Sequence, residues 1–183
     1  MEIIDCNLDG IKIIKPKFFG DSRGFFFESF EFNRYRDLVG IEDNFVQDNI
    51  SMSSAGVLRG LHFQLNNTQG KLVTVIKGSV FDVAVDIRKN SKTFGKWFGV
   101  ILSDENHWQL WIPKGFAHGF YVMSKNAYFH YKCTDFYDPK SEVSIIWNDP
   151  NIGIEWPITV DPTLSAKDLS GKLLKELPKN KLL

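Results

Sequence analysis

The sequence predicts a mostly β domain, a sandwich or barrel of short strands, with short helices near its ends. Two observations lead to this prediction. Short apolar runs follow one another at regular spacing and are separated by Gly, Pro, Asn and Asp, as in sandwiches and barrels. Helical patterns occur only on either side of this central region. The length of 183 residues fits one domain, taken here as 1–183, because domains commonly contain about 100–200 residues.

The clearest predicted strand is SVFDVAVDIR, which ends at Arg88. Every second residue from Phe81 to Ile87 is apolar, and the residues between them include Asp82 and Asp86. This period of two predicts a strand with one buried face. The turn residues KNSKTFG follow it. Comparable strands are predicted in KLVTVIKGS, WFGVILS, QLWIPKG, GFYVMS, AYFHYKCTDF and EVSIIWND.

The first helical pattern is EFNRYRDLVG. It places Phe32, Tyr35 and either Leu38 or Val39 on one face. It ends at Gly40, because glycine commonly occupies the position just after a helix. We therefore expect a short helix before the first of the central strands.

The second helical pattern, LSAKDLSGKLLKEL, lies near the other end of the chain. Ser165 and Asp168 have the spacing of a capping box, in which each side chain bonds the backbone amide of the other residue. Gly171 lies inside the pattern and weakens any helix beyond it. The cap alone would be enough to explain Asp168.

The composition indicates an ordinary globular protein without a strong net charge. Hydrophobic residues make up 43% and charged residues 24%, and the formal net charge is +0. We therefore expect neither nucleic acid nor a membrane as a partner. The first residues include acids and no apolar run, so no signal peptide is predicted, and no stretch reaches the ~18 apolar residues of a membrane span. Cys6 and Cys133 show neither metal-ligand spacing nor a disulfide framework, which favours a cytoplasmic location.

The stretch VLRGLHFQ places polar residues inside an apolar strand. Alternation puts Leu58, Gly60, His62 and Gln64 on one face. Gly60 has no side chain to pack, so it indicates a bulge or room for a ligand beside His62. The next predicted strand, KLVTVIKG, would bring Lys71 into the same cavity if the two strands pair as a hairpin.

A further polar group, Tyr131, lies in AYFHYKCTDF, where alternation places it on one face with Phe129 and Cys133. Taken singly, each polar residue of this kind also has a structural explanation. A strand histidine is usually hydrogen bonded within the fold, and a lysine at a strand end is usually solvated. A core tyrosine usually has a satisfied hydroxyl group.

A second motif, PKGFAHGF, resembles the second conserved signature of cupins, which are small jelly-roll barrels. Most cupins bind a metal ion through a His-x-His pair, a carboxylate and the histidine of this second signature. Here Gln64 stands where the pair needs its second histidine, which leaves only His62 and His118. Since an open catalytic metal site usually has three protein ligands, we expect no metal, and His62 is free for proton transfer.

Taken together and in order, the motifs resemble the metal-free cupin family of dTDP-4-dehydrorhamnose 3,5-epimerases. The resemblance runs from about Lys15 to Asp168 and implies a cupin-type jelly-roll barrel. It rests on FGDSRGFFFESF, FVQDNISMSSAGVLRGLHFQ, QGKLV, VFDVAVDIRKNSKTFGKW, QLWIPKGFAHGF, YKCTDFY, WNDPNIGIEWP and LSAKD.

The resemblance implies an isomerase that inverts C3 and C5 of a dTDP-linked 4-keto-6-deoxyglucose without a cofactor. The ketone makes the hydrogens on both carbons acidic, because their loss gives an enolate. His62 then corresponds to the general base, and Asp168 to the carboxylate that orients it. Lys71 matches the cation that stabilises the enolate oxygen, and Tyr131 matches the acid that returns a proton on the opposite face.

The resemblance also implies a homodimer and a set of substrate-binding residues. Arg59 and Lys167 match residues near the pyrophosphate, whose oxygens a guanidinium group clamps bidentately. Arg23 and Glu28 match positions that reach the nucleotide from the neighbouring subunit. The other substrate-binding predictions are Gln47 and Asn49, Phe26 and Tyr137 as stacking groups for the base, and His118 in the sugar pocket.

Three alternatives stay open from the sequence. The first is a single-site epimerase, because Ile50 and Met52 stand where many members have polar or basic residues and His130 adjoins the predicted acid. The second is a ketoisomerase, which moves the carbonyl group instead of inverting a carbon. The third is a cupin that binds a nucleotide sugar without catalysis, which the joint presence of acid, base and cation disfavours. The resemblance places the expected product on a route to lipopolysaccharide or another surface polysaccharide.

Overall fold

A computed structural model describes residues 1–178, 180 and 182–183 of the chain. Its helical segments are short: α1 (Phe32–Arg34), a π-helical turn (Tyr35–Val39), α2 (Ala166–Leu169) and a 3-10 turn (Leu174–Glu176). The prediction of a mostly β protein with short helices near the ends is confirmed. The strands are β1 (Glu2–Asp5), β2 (Lys12–Lys15), β3 (Phe18–Asp21), β4 (Gly24–Phe27), β5 (Gln47–Ser54), β6 (Leu58–Gln64), β7 (Lys71–Lys77), β8 (Ser79–Asp86), β9 (Trp97–Ser103), β10 (Gln109–Ile112), β11 (Phe116–Val122), β12 (Asn126–Cys133) and β13 (Glu142–Ser144).

Two antiparallel sheets form the body of the fold. The six-stranded sheet has the order β1-β2-β10-β7-β12-β5, and the five-stranded sheet has the order β13-β6-β11-β8-β9. Apolar side chains from both sheets meet between them, among them Val73, Leu110 and Phe129 from the first and Val80 and Phe120 from the second. Two sheets packed around a shared core are the architecture of a jelly roll, so the predicted class is confirmed.

Strand β8 is buried on both faces, which corrects the prediction of a single buried face. On its outer face, Val83 and Val85 pack with Ile152 and Leu174 of the C-terminal segment. On its inner face, Asp82 is fully buried. The prediction was wrong because an acid can be buried when it has a partner: Asp82 pairs with His118, and Asp86 pairs with Arg88.

The first helical segment is shorter and less regular than predicted. Only three residues are α-helical before the chain enters the π-helical turn, and Gly40 ends the segment with a φ of +81°. Tyr35 and Val39 are buried, whereas Phe32 and Leu38 are exposed, so Phe32 does not share the buried face on which it was predicted. The segment therefore packs on the barrel through Tyr35 and Val39.

The second helical segment also stops early. Ser165 and Asp168 form the predicted capping box at the start of α2. At Gly171, a Cβ atom would lie 2.7 Å from the backbone nitrogen of Ile146, so the chain passes too close to its neighbour for any other residue. Among the residues described above, no helix is long and apolar enough to cross a membrane.

Strands β6 and β7 lie in different sheets, so the predicted hairpin pairing is wrong. β6 pairs with β11 and β13, and β7 pairs with β10 and β12. The connection between them crosses from one sheet to the other. Three hydrogen bonds fix its path. The Gln64 side-chain amide donates to the carbonyl groups of Asn67 (2.8 Å) and Phe136 (3.1 Å). The Gly70 N–H donates to Thr134 Oγ1 (2.8 Å).

Strands β3 and β4 form a separate two-stranded hairpin, which we call the arm (residues 18–27). Phe18 and Phe19 on β3 are 44% and 51% exposed, and Phe25 and Phe26 on β4 are 62% and 67% exposed. These large exposed fractions set the arm apart from the closely packed barrel.

Candidate active site

A cavity of about 590 Å³ opens between the two sheets. Strands β5, β7 and β12 line one wall, strands β6 and β11 line the other, and residues 163–168 close one side. It is lined by His62, Lys71, Tyr131 and Asp168, so the four predicted catalytic residues lie in one place. Lys71 and His62 reach it from opposite sheets, not from paired strands.

A β-bulge in β6 shapes the wall that carries His62. Opposite β11, His118 pairs with His62 and Phe120 pairs with Arg59, so β6 has one residue more than its partner over this interval. Gly60 lies in the bulge with a φ of +111°, and a Cβ atom there would stand 2.6 Å from the carbonyl oxygen of His118. The bulge predicted at Gly60 is confirmed.

The bulge brings two neighbouring functional side chains to the same cavity. In a regular strand, Arg59 and His62 would point to opposite faces because they are three residues apart. Both line the cavity here, while Leu61 packs into the apolar cluster on the outer face of the sheet. The Arg59 guanidinium is oriented by Ser53, whose Oγ accepts from Nε at 3.0 Å.

Asp168 holds His62 from one side of the cavity. Its Oδ1 lies 2.8 Å from His62 Nε2, although the contact departs from regular hydrogen-bond geometry. The Gly60 N–H donates to Oδ1 (3.0 Å), and Ser165 donates to Oδ2 through its N–H (3.2 Å) and its hydroxyl (2.5 Å). Asp168 therefore serves both as the helix cap and as the partner of His62.

The charge on Asp168 is stabilised by these contacts. Burial by itself would raise the pKa of this carboxyl, but the contacts with His62, Ser165 and the Gly60 amide outweigh it and hold the pKa well below its usual range. Asp168 is consequently ionised at neutral pH. A fixed negative charge beside an imidazole stabilises the imidazolium that forms when the ring accepts a proton.

Lys71 and Tyr131 complete the set on the opposite sheet. Burial lowers the pKa of the Lys71 ammonium group, and the carboxylates of Glu142 and Asp82 act in the opposite direction. Burial raises the pKa of the Tyr131 phenol, and the charge of Arg59 acts against that rise. Tyr131 therefore keeps its proton at neutral pH and is able to donate it. Phe129 and Cys133 line the cavity beside Tyr131, as alternation predicted.

A second pair of a histidine and a carboxylate lies next to the first. His118 lines the cavity on the same wall as His62, because the two residues are paired on the neighbouring strands β11 and β6. Its Nε2 lies 3.0 Å from both carboxylate oxygens of Asp82. In the sequence, Asp82 stands out only as one polar residue of an alternating strand. In the part of the chain that the structure covers, no group of three or more His, Cys, Asp or Glu side chains is arranged to hold a metal ion.

Glu142 is a site residue that sequence analysis missed. Its carboxylate accepts a hydrogen bond from the Tyr137 hydroxyl (2.8 Å), forms an ion pair with Lys167 and lies 3.9 Å from His62 Nδ1. Burial would raise the pKa of Glu142, but the bonds from Lys167 and Tyr137 outweigh it and lower the pKa. Glu142 lies in an ordinary strand pattern, EVS, so no signal in the sequence marked it.

The remaining predicted binding residues divide into two groups. Gln47 and Asn49 line the cavity, where the Gln47 amide donates to Asn49 Oδ1 (3.0 Å) and Gln47 Oε1 accepts from the Tyr137 N–H (2.9 Å). Arg23 and Phe26 lie on the arm, and Glu28 follows it. These three do not line this cavity: Arg23 pairs with Asp21, and Glu28 pairs with Arg34.

The sequence is similar to those of known epimerases. The family model of dTDP-4-dehydrorhamnose 3,5-epimerase matches residues 5–176. The dTDP-4-dehydrorhamnose 3,5-epimerase of Salmonella typhimurium is 56% identical over 177 residues, which cover 96% of this chain and 97% of that protein. The protein of the same name from Neisseria gonorrhoeae is 54% identical over 182 residues. That match covers 100% of this chain but only 55% of the relative, so the chain spans about half of its length.

The fold is similar to that of solved epimerases. The crystal structure of dTDP-6-deoxy-D-glucose-3,5-epimerase from Legionella pneumophila Philadelphia 1, in complex with dTDP-4-keto-L-rhamnose, superposes with a TM-score of 0.98. The two chains are 59% identical, and the match covers 99% of this chain and 96% of the other.

Proposed function

The chain belongs to the family of dTDP-4-dehydrorhamnose 3,5-epimerases, and we propose that His62 and Tyr131 carry out its reaction from opposite walls of the cavity. The chain is an isomerase of a dTDP-sugar. It converts dTDP-4-dehydro-6-deoxy-D-glucose into dTDP-4-dehydro-L-rhamnose by inverting C3 and C5. The observation that carries the proposed roles is the placement of a carboxylate-backed imidazole and a protonated phenol on facing sheets.

The first step is proton removal beside the ketone. The His62 nitrogen that does not face Asp168 takes the proton from the carbon, and the electron pair of that C–H bond forms an enolate with the C4 oxygen. Lys71, which lines the cavity, stabilises the negative oxygen through its ammonium group. The ionised Asp168 stabilises the imidazolium at the same time.

The second step returns a proton on the other face of the sugar ring. Tyr131 donates its phenolic proton to the carbon, the enolate collapses to the ketone, and the centre is inverted. Burial favours the protonated phenol before the step, since the phenolate is the less stable form in a poorly solvated site. Before the second carbon reacts, the His62 imidazolium releases its proton to water and the Tyr131 phenolate takes a proton from water. The same pair of groups then acts at the second carbon after the ring has turned in the cavity.

The nucleotide end of the substrate is bound by the remaining polar residues. Arg59 and Lys167 are proposed to hold the pyrophosphate, because both line the cavity and carry positive charge. Gln47 and Asn49 contact the substrate from the opposite wall, which β5 helps to form, and Tyr137 stacks on the base. His118 and Glu142 complete the sugar pocket.

We propose that the protein acts as a homodimer whose arms are exchanged. Arg23, Phe26 and Glu28 lie away from the cavity of their own chain, so they serve the cavity of a neighbouring subunit. The exposed phenylalanines of the arm support this, because exposed apolar clusters mark surfaces that another molecule covers.

The cellular setting is proposed from the chemistry of the substrate. A cytoplasmic location is proposed because nucleotide sugars are made from cytoplasmic nucleotides, and the product serves a surface polysaccharide such as lipopolysaccharide. No cofactor is needed, since the ketone of the substrate itself stabilises the carbanion. The net charge of +0 favours neither nucleic acid nor a membrane as a partner.

The function is tested by incubating the protein with dTDP-4-dehydro-6-deoxy-D-glucose in heavy water and following C3 and C5 by NMR. Deuterium at both carbons, with inversion at both, is expected. Deuterium and inversion at one carbon alone would indicate a single-site epimerase, and a displaced carbonyl group would indicate a ketoisomerase. A sugar that binds but stays unlabelled would indicate a non-catalytic binder.

A further inference from the structure

His107 has an unusual backbone in the turn between β9 and β10. Its φ is +53°, a region that residues other than glycine occupy infrequently. The turn is braced by Asn106, whose Oδ1 accepts from the N–H groups of Ser103 and Trp108, both at 3.0 Å. The surrounding bonds therefore impose this conformation, and residues held in this way often have a role beyond the local turn.

The imidazole of His107 is packed among the phenylalanines of the arm. Its ring lies 4.5 Å from that of Phe18 and is nearly parallel to it, with an interplanar angle of 12°. The rings of Phe25 and Phe27 lie 5.0 and 5.4 Å away. Phe18 pairs with Phe27 across the hairpin and Phe25 pairs with Gly20, so all three rings project from one face of the arm.

The other face of the arm is free of these contacts. Phe19 and Phe26 are paired across the hairpin on that second face and are exposed. Arg23 lies at the tip of the arm, with a side chain that is 88% exposed. Since β3 and β4 pair only with each other in the described chain, side-chain packing has to set the direction in which the tip and the second face point.

We propose that His107 is a positioning residue that fixes the arm to the barrel and so sets the direction of Arg23 and Phe26. The inference rests on the proposed function in one respect, namely that these two residues bind the nucleotide of a neighbouring subunit. His107 does not contact the substrate. It restricts the motion of the arm before the substrate binds. Its loss should therefore weaken substrate binding and leave the rate of the chemical step unchanged.

The proposal is tested by two substitutions at His107, one that suits the backbone conformation of the turn and one that keeps a flat ring. His107→Asn removes the imidazole, and asparagine tolerates the left-handed backbone better than most residues. His107→Phe restores a flat ring without the imidazole nitrogens. We expect His107→Asn to raise the KM for the dTDP-sugar about tenfold while kcat stays within about twofold, and His107→Phe to return KM close to the wild-type value.

A second measurement reads the arm directly and does not depend on enzymatic activity. Trypsin cleaves after Arg23, and the rate at which the peptide ending at Arg23 appears reports how firmly the arm is held. We expect cleavage several times faster in His107→Asn and a wild-type rate in His107→Phe. Wild-type cleavage and wild-type KM in His107→Asn would overturn the proposal, as would a fall in kcat at unchanged KM. If the wild-type protein showed no turnover, the proposed function would fail, and the cleavage rates would still decide the role of His107.

Discussion

At the scale of single residues, Asp168 divides its two oxygens between two tasks. One oxygen faces His62, and the other accepts from Ser165 at the start of α2. The sequence alone explained Asp168 as a cap, and the structure shows that the cap and the contact with His62 coexist. Substitutions that separate the two tasks are therefore informative.

We predict that Asp168→Asn lowers kcat by roughly 10²-fold or more, because the neutral amide no longer stabilises the imidazolium of His62. The measurement is steady-state turnover of the dTDP-sugar. Ser165→Ala is the matched control, since it removes the cap but leaves the carboxylate. It should lower the free energy of unfolding by about 1 kcal/mol and change kcat far less. Equal losses of kcat in both variants would contradict a separate role for the carboxylate.

A second prediction distinguishes the proposed role of Tyr131 as the acid from that of His62 as the base. Tyr131→Phe should reduce inversion much more than deuterium exchange at C3 and C5, because the base still removes the proton but no acid lies on the opposite wall. His62→Ala should reduce both by roughly 10²–10⁴-fold, since nothing takes the first proton. NMR in heavy water measures exchange and inversion on one sample. Full epimerisation by Tyr131→Phe would refute its role as the acid.

At the scale of elements, the turn after β8 is held by a single buried carboxylate. Asp86 accepts from the Arg88 guanidinium (3.0 and 2.7 Å) and from the hydroxyl groups of Ser91 and Thr93 (both 2.6 Å). Burial would raise the pKa of Asp86, but these bonds outweigh it and lower the pKa to about 2. The folded state therefore binds this proton less readily than the unfolded chain does.

The sign of the pH dependence follows from that difference. The stabilisation from Asp86 is fully present above the unfolded pKa of about 3.9 and is lost as the pH falls towards about 2. We predict that Asp86→Asn lowers the free energy of unfolding at pH 7 by roughly 2 kcal/mol, the size of this shift. The variant should also lose less stability than the wild type between pH 5 and pH 2. Urea unfolding at several pH values measures both, and parallel pH profiles would contradict the prediction.

The elements also show what the sequence could predict. Alternation identified the residues of β12 that face the cavity, because side chains along a strand point to the same face at every second residue whatever the strand packs against. The same rule could not tell that β6 and β7 belong to different sheets, since pairing depends on the path of the intervening loop. It also could not find Glu142 or the partner of His118, because their importance comes from neighbours that are distant in sequence.

At the scale of the whole molecule, the separation of Arg23 from its own cavity leads to a test by complementation. We predict that co-expressed His62→Ala and Arg23→Ala chains form mixed dimers with one intact site. That site combines His62 of one subunit with Arg23 of the other. Random pairing makes half of the dimers mixed, so about a quarter of the wild-type activity should return.

The control for this experiment is to mix the two variants after each has been purified as a stable dimer, without exchange of subunits. Activity should then equal the sum of the separate variants. If co-expression gave no more activity than that sum, Arg23 would act within its own subunit, and the exchanged arm would have to be abandoned.

The extra residue in β6 decides which side chains of this strand face the cavity together. A regular strand offers a ligand only every second side chain, so two residues three positions apart, such as Arg59 and His62, would face opposite sides of the sheet. By slipping one position at Gly60, the chain turns Arg59 and His62 of a single short strand towards the same cavity. Deleting that one residue would turn either His62 or Arg59 towards the outer apolar cluster. Only one of the two side chains would then remain in the cavity.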